Sequence, residues 1–161
     1  MKTASPNRRA PAFNLLDQHG KKRSLKDYAG KWLVVYFYPS DKSLNCKLEA
    51  CYFRDEQQAL MQFGNASVVG INKASVESHK RFADDNKLNF PILSDPDHAV
   101  TEAYGAWRTK GVKWHDRPWA TRRNTYIVNP KGQIVKEYIG IIPRHEHVEE
   151  IIADLQELQG I

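Results

Sequence analysis

The longest uninterrupted apolar stretch of the chain covers residues 32–38 and ends at Pro39. A run without alternation predicts a β-strand that is buried on both faces. A second run at residues 67–72 predicts another buried strand. Residues 13–16 and 21–25 predict two short strands around a turn at 17–20, and short apolar segments predict strands at 90–93, 125–128 and 134–139. The turn between the last two contains Asn, Pro and Gly, so these strands form a hairpin.

Between the strands, apolar residues recur at helical spacing in residues 43–63, 76–86, 97–104 and 145–158. Ser75 is the expected N-cap of the second helix, and Gly105 terminates the third. Strands alternate with helices and are followed by a hairpin and a last helix. This order predicts one α/β domain over residues 1–161, with a mixed central sheet flanked by helices, as in the thioredoxin-like fold.

Composition narrows the class of protein. The 161 residues are 27% charged and 41% hydrophobic, which is typical of a soluble globular chain. The strongly apolar part of the longest apolar stretch, residues 33–38, is far too short to cross a bilayer, and no apolar stretch follows the basic residues near the N-terminus. We therefore expect a cytoplasmic protein that does not bind membranes. As to assembly, the expectation is a monomer or a weak dimer.

Cys46 and Cys51 are the two cysteines of the chain. A secreted protein held by disulfides carries more cysteines, and a bridge across five positions closes almost no loop. The spacing also lacks the pairs of cysteines of a structural zinc site. Redox or nucleophilic chemistry is therefore the favoured use of these thiols.

Cys46 follows a strand and a loop, so it is expected in the first turn of a helix. The positive end of the helix dipole favours a thiolate there by roughly 0.3–1 kcal/mol. A free cysteine is only a few per cent thiolate at neutral pH, and the thiolate is the nucleophile. A reactive Cys46 therefore needs a cation from elsewhere in the fold.

The segment around Cys46 contains YFYP at 36–39, followed by S-x-x-C-x-x-E-A-C-x-F-R-D at 43–55. FPILSD at 90–95, YGxW at 104–107 and RxTYxV at 123–128 lie downstream. Taken together these motifs resemble the peroxiredoxins, and in particular the subgroup called bacterioferritin comigratory protein or peroxiredoxin Q. The resemblance extends over nearly the whole chain.

The resemblance implies a thiol-specific peroxidase that reduces hydrogen peroxide and organic hydroperoxides without metal or organic cofactor. Cys46 matches the peroxidatic cysteine, which becomes a sulfenic acid. Cys51 matches the resolving cysteine, which forms an intramolecular disulfide that a thioredoxin-like dithiol protein reduces. Five residues apart on an α-helix, the two Cα atoms would be about 8–9 Å apart. A disulfide needs less than about 7 Å, so if Cys51 is the resolving residue the helix must unwind.

Four further residues match the site residues of the family. Ser43 matches the hydroxyl residue that orients the peroxide, and Pro39 matches the proline that shields the pocket from water. Arg123 matches the arginine that favours the thiolate and binds the peroxide oxygens. Glu49 matches a glutamate that orients an arginine. The chain departs from the family at residues 43–45, where Ser-Leu-Asn replaces Thr-Pro-Gly, which affects the shape of the pocket.

Several alternatives stay open. Cys51 as a buried structural residue would leave a one-cysteine peroxidase. Because Arg122 adjoins Arg123, the choice between these two arginines is open. Glu49 fits equally an ordinary acid in the first turn of a helix, where the helix dipole favours a negative charge. His145 and His147 suggest a metal site, although surface positions fit them better.

The segment 107–123 suggests a nucleic-acid-binding module, because it combines three tryptophans with six basic residues and one acidic residue. A solvated loop is the favoured interpretation, and we expect no binding of nucleic acid.

Overall fold

The structure, a computed structural model, describes residues 2–108 and 120–161. Eight strands of this part form one mixed sheet in the order β1-β8-β7-β4-β5-β6-β2-β3. Strands β4, β5 and β6 are parallel to one another, and the other neighbouring pairs are antiparallel. The strands are β1 Lys2–Arg9, β2 Asn14–Leu16, β3 Lys22–Ser24, β4 Trp32–Phe37, β5 Ala66–Asn72, β6 Ile92–Ser94, β7 Thr125–Val128 and β8 Gln133–Tyr138.

Helices cover the sheet, which confirms the predicted thioredoxin-like α/β architecture. Ser75 caps α3 as predicted, since its hydroxyl accepts a hydrogen bond from the Ser78 N–H at 3.1 Å. The described α-helices are α1 Leu44–Asp55, α2 Gln57–Gln62, α3 Val76–Asn86, α4 Ala99–Ala103 and α5 His145–Gln159, and Leu25–Tyr28 is a 3-10 helix.

Two elements differ from the expectation. The helix predicted over 43–63 is divided at Glu56, whose φ of −102° and ψ of 11° end α1 before α2 begins. The N-terminal strand β1 was not predicted, because its sequence is polar and carries no alternation. It exists through pairing with β8, and long-range pairing of an edge strand leaves little signal in the local sequence.

Strand β4 lies at the centre of the sheet, and its side chains are buried on both faces, as its continuous apolar run predicts. Val34 and Tyr36 face the cluster formed with α1, α2, α3 and α5. Leu33, Val35 and Phe37 face the second cluster, on the opposite side. On β5, a side chain at residue 70 would place its Cβ 2.8 Å from the Tyr36 ring, so only glycine allows this packing.

The topology brings two distant segments to the same end of the sheet. Strand β4 ends at Phe37, and the chain continues through a loop into α1. Strand β7 pairs antiparallel with β4 and begins at Thr125, opposite Tyr36. The residues just before β7 therefore lie beside those just after β4. No helix in the described part of the chain is long and apolar enough to span a membrane.

Candidate active site

Cys46 is the third residue of α1, and its side chain is completely buried. Ser43 caps the helix, because its hydroxyl accepts a hydrogen bond from the Cys46 N–H at 3.2 Å. Cys51 lies later in the same helix, is half-buried, and is not bonded to Cys46. Both cysteines therefore share one regular helix in the reduced protein.

A single guanidinium links the predicted site residues. Arg123 Nη2 lies 3.2 Å from the Cys46 sulfur and 3.5 Å from the Ser43 hydroxyl. Arg123 Nη1 lies 3.5 Å from a carboxyl oxygen of Glu49. The neighbouring Arg122 is exposed. The fold thus brings Arg123, Ser43 and Glu49 around Cys46, and it leaves Arg122 on the surface.

The backbone that carries Arg123 is held by hydrogen bonds on both sides. The Arg123 carbonyl accepts a hydrogen bond from the Ile141 N–H at 2.7 Å, and the Asn124 carbonyl accepts one from the Phe37 N–H at 2.8 Å. The Asn124 side chain accepts a third from the Gly140 N–H at 3.1 Å. Because β4 and the segment after β8 hold this backbone, the Arg123 side chain starts from a fixed position next to α1.

Glu49 is buried, with 2% of its surface exposed, and so it is not an ordinary solvated acid near a helix start. Burial raises the pKa of Glu49 to about 8, although the positive charge of Arg123 opposes this shift. One carboxyl oxygen faces Arg123, and the other has no hydrogen-bond partner. Burial therefore favours the protonated form of Glu49.

Pro39 lies at a cavity of about 480 Å³ that Arg123 also lines. No acidic residue is among the described residues of its wall, the others being Arg108, Thr121, Arg122, Gly140 and Ile141. The replaced positions Leu44 and Asn45 are both exposed in the first turn of α1. The residues that replace the family's Pro-Gly therefore lie on the solvent-exposed side of this turn.

Sequence reasoning missed a buried pair formed by Asp41, within the loop that leads into α1, and His79 on α3. A signal for His79 was present, because its helical spacing from Phe82 and Ala83 places it on the buried face of α3. Asp41 lies between Pro39 and Ser43, where its sequence context resembles that of any polar loop residue.

The remaining histidine and loop predictions have different outcomes. His145 is partly exposed, but His147 is buried and close to the Thr125 hydroxyl at 3.2 Å, so the surface position expected for His147 was wrong. An amphipathic helix start turns one of two alternate residues inward.

Among the described residues, no group of three or more potential metal ligands occurs. Most of the segment 107–123 lies outside the described residues.

Comparison with known proteins decides the family. Residues 6–137 match the model of the AhpC/TSA family, and the chain is 31% identical to the Bacillus subtilis peroxiredoxin Bcp over 156 residues, which cover 97% of this chain and 98% of that protein. The chain belongs to the peroxiredoxin family. It is also 37% identical over 149 residues to the chloroplastic peroxiredoxin Q of Sedum lineare, covering 92% of this chain and 76% of that protein.

Solved structures agree with this assignment. The Mycobacterium tuberculosis peroxidoxin BcpB superposes with a TM-score of 0.83 at 26% identity, with 98% of each chain covered. The Xanthomonas campestris bacterioferritin comigratory protein, whose structures were determined to study alkyl peroxide reduction, gives a TM-score of 0.81 at 27% identity over 91% of each chain. This peroxiredoxin therefore shares both sequence and fold with the expected subgroup.

The raised pKa of Glu49 predicts a pH dependence of stability. The folded state binds this proton up to about pH 8, whereas an unperturbed glutamate releases it near 4.5. The folded state thus holds more protons between these values, and the free energy of unfolding should fall as pH rises through this window. Glu49→Gln should remove this contribution to the slope of the free energy of unfolding against pH.

Urea unfolding of the reduced protein and the variant at several pH values between about 5 and 8 measures this difference in slope. Glu146→Gln, at an exposed position of α5, is the matched control and should leave the slope unchanged. Parallel pH profiles for the Glu49 variant and the unaltered protein would contradict the protonated, buried carboxyl.

Proposed function

We propose that this peroxiredoxin reduces hydroperoxides with Cys46 as the nucleophile and Arg123 as the cation that stabilises its thiolate. The observation that carries the proposal is the 3.2 Å contact between Arg123 Nη2 and the Cys46 sulfur at the start of α1. A hydrogen bond to a charged group contributes about 1.5–3 kcal/mol. This exceeds the contribution of the helix terminus alone, roughly 0.3–1 kcal/mol.

In the proposed reaction the Cys46 thiolate attacks one oxygen of the hydroperoxide. A sulfur–oxygen bond forms and the peroxide bond breaks, so sulfur is oxidised to sulfenic acid. The leaving alkoxide or hydroxide takes up the proton that Cys46 released to solvent when it ionised, and it departs as alcohol or water. The Arg123 guanidinium and the Ser43 hydroxyl lie beside the sulfur, where negative charge moves from sulfur to oxygen. Pro39, at the adjoining cavity, is suited to limit the access of water.

Cys51 is proposed to resolve the sulfenic acid. Its thiolate would attack the Cys46 sulfur and displace hydroxide, which takes up the proton that Cys51 lost and leaves as water. The product is an intramolecular disulfide. Because α1 runs unbroken from Leu44 to Asp55, the two sulfurs cannot meet until part of this helix unwinds. Unwinding would also bring the disulfide to the surface.

The resulting disulfide needs a dithiol protein, such as a thioredoxin, to return both cysteines to thiols. Organic hydroperoxides are included among the proposed substrates because the related Xanthomonas campestris protein was studied for alkyl peroxide reduction. A reducing compartment such as the cytoplasm would keep both thiols ready between cycles.

Replacement of each cysteine tests the assignment. Cys46→Ser should abolish consumption of peroxide in the presence of thioredoxin and its reductase. Cys51→Ser should retain one turnover and leave Cys46 as a sulfenic acid, which is detected by mass spectrometry after trapping. Steady turnover by the Cys51 variant at the rate of the unaltered enzyme would instead favour the one-cysteine mechanism.

The role of Arg123 is tested against its neighbour. Arg123→Gln should lower the thiolate fraction of Cys46 and slow the peroxide reaction on the order of 100-fold, as expected for loss of one charge-stabilising donor. Arg122→Gln removes the same charge from an exposed position and should have little effect. Thiolate absorbance and single-turnover kinetics are the measurements, and equal effects of both variants would refute the choice.

The opening of α1 is tested by hydrogen exchange. In the reduced enzyme residues 44–55 should be protected, since the segment is helical and Phe53 is buried. Formation of the disulfide should raise exchange there, while strand β4 stays protected. Peroxide-treated Cys51→Ser is the control and should keep its protection. Unchanged exchange in protein with a verified Cys46–Cys51 bond would contradict the unwinding.

A further inference from the structure

A buried carboxylate anchors the loop between β4 and α1. Asp41 lies within this loop, and only 4% of its side chain is exposed. Its Oδ1 accepts hydrogen bonds from the Tyr38 hydroxyl at 2.8 Å and the Asn72 amide at 3.3 Å. Its Oδ2 accepts hydrogen bonds from the Ser78 hydroxyl at 2.8 Å and lies 2.7 Å from His79 Nδ1. One side chain thus joins the loop to the ends of β4 and β5 and to α3.

The hydrogen-bond partners of His79 determine its protonation. The ring is completely buried, and its Nε2 lies 3.0 Å from the Leu93 carbonyl, which can only accept, so Nε2 carries a proton. Burial alone would raise the pKa of Asp41, but hydrogen bonds from His79, Ser78 and Tyr38 outweigh it and the pKa lies below its usual value. Asp41 is therefore a carboxylate, and Nδ1 must donate to it as well.

The acceptors on both sides of the ring fit an imidazolium that is paired with its counter-ion inside the protein. A buried pair of this kind holds its geometry firmly, because removing one partner leaves an uncompensated charge in a medium of low polarity. The ion pair also restrains the loop between β4 and α1, because Asp41 is two residues after Pro39 and two before Ser43. Ser43 in turn caps α1 and lies within 3.5 Å of Arg123.

We propose that Asp41 and His79 are positioning residues of the peroxidase site. Their ion pair fixes the loop that carries Pro39 and Ser43, and through it the first turn of α1 with Cys46 against Arg123. This inference rests on the proposed function of Cys46. The pair stabilises the arrangement that reacts with peroxide, and it opposes the opening that disulfide formation requires. Loss of the pair should therefore act in opposite directions on the two steps.

Single-turnover kinetics of Asp41→Asn and His79→Gln separate these steps. The reaction of reduced enzyme with hydrogen peroxide should slow about 10-fold or more, because misplacement of catalytic groups by a fraction of an ångström has effects of this size. Disulfide formation from the sulfenic acid should be at least as fast as in the unaltered enzyme. A merely destabilised protein has no reason to show this opposition, and equal slowing of both steps would overturn the proposal.

The surface of α3 provides a matched control. Asp84 pairs with Lys80 at 3.1 Å, and both side chains are more than half exposed. Asp84→Asn therefore removes a carboxylate and an ion pair from the same helix, but from its solvent side, and it should change neither step. The double variant Asp41→Asn with His79→Gln should be no slower with peroxide than Asp41→Asn, because the charge left unpaired by the single change is gone. Additive slowing would count against a shared anchor.

Nitrogen NMR of the unaltered, reduced enzyme provides a test that needs no variant to fold. Both ring nitrogens of His79 should carry protons at neutral pH, and a ring with one unprotonated nitrogen would overturn the ion pair. The outcomes also separate this inference from the function on which it rests. Peroxidase activity that persists in Cys46→Ser refutes the proposed function. If the enzyme is active but the Asp41 and His79 variants react at the rates of the unaltered protein, only the positioning role is refuted.

Discussion

Cys46 and Cys51 lie on one helix, and on the proposed mechanism that helix has to meet two opposed requirements. While α1 is intact, it buries Cys46 and directs its positive end towards the sulfur. The same intact helix holds the two Cα atoms about 8–9 Å apart, too far for a disulfide. The helix must therefore be fixed well enough to react with peroxide, and its release must leave the sheet undisturbed. Strand β4 permits this, because its hydrogen bonds run to β5 and β7 and not to α1.

The number of charges in the core is the second constraint. On the proposed mechanism, Cys46 reacts as a thiolate that is buried next to the Arg123 cation and the carboxyl of Glu49. If both acids were ionised, one guanidinium would have to compensate two negative charges in a medium of low polarity. The raised pKa of Glu49 avoids this, since a protonated Glu49 leaves the charge of Arg123 to the thiolate. Glu49 can then orient the guanidinium without competing strongly for it.

Seven of the eight described strands and most of the described helices were predictable, because they depend on local patterns. The continuous apolar run of β4 and the spacing in α3 each identify one element, and the position of Cys46 after a strand identifies a helix start. Strand β1 was not predictable, since it forms by pairing with β8. The choice of Arg123 as a site residue came from the family resemblance, because no local pattern distinguishes it from Arg122. The pair of Asp41 with His79 joins residues 38 positions apart, and a single sequence does not indicate such a contact.

Burial along α1 indicates which part of the helix can open at the lowest cost. The last turns contribute Phe53, which is completely buried and stacks on Tyr36 with ring centroids 4.6 Å apart. Exposing a side chain of this size costs about 1.5–3 kcal/mol. The first turn exposes Leu44 and Asn45 already, so Cys46 itself is the main apolar group lost from the core when this turn unwinds. Unwinding from the N-terminal end would move Cys46 towards the half-buried Cys51, and the anchor that resists it is the hydrogen-bonded loop immediately before this turn.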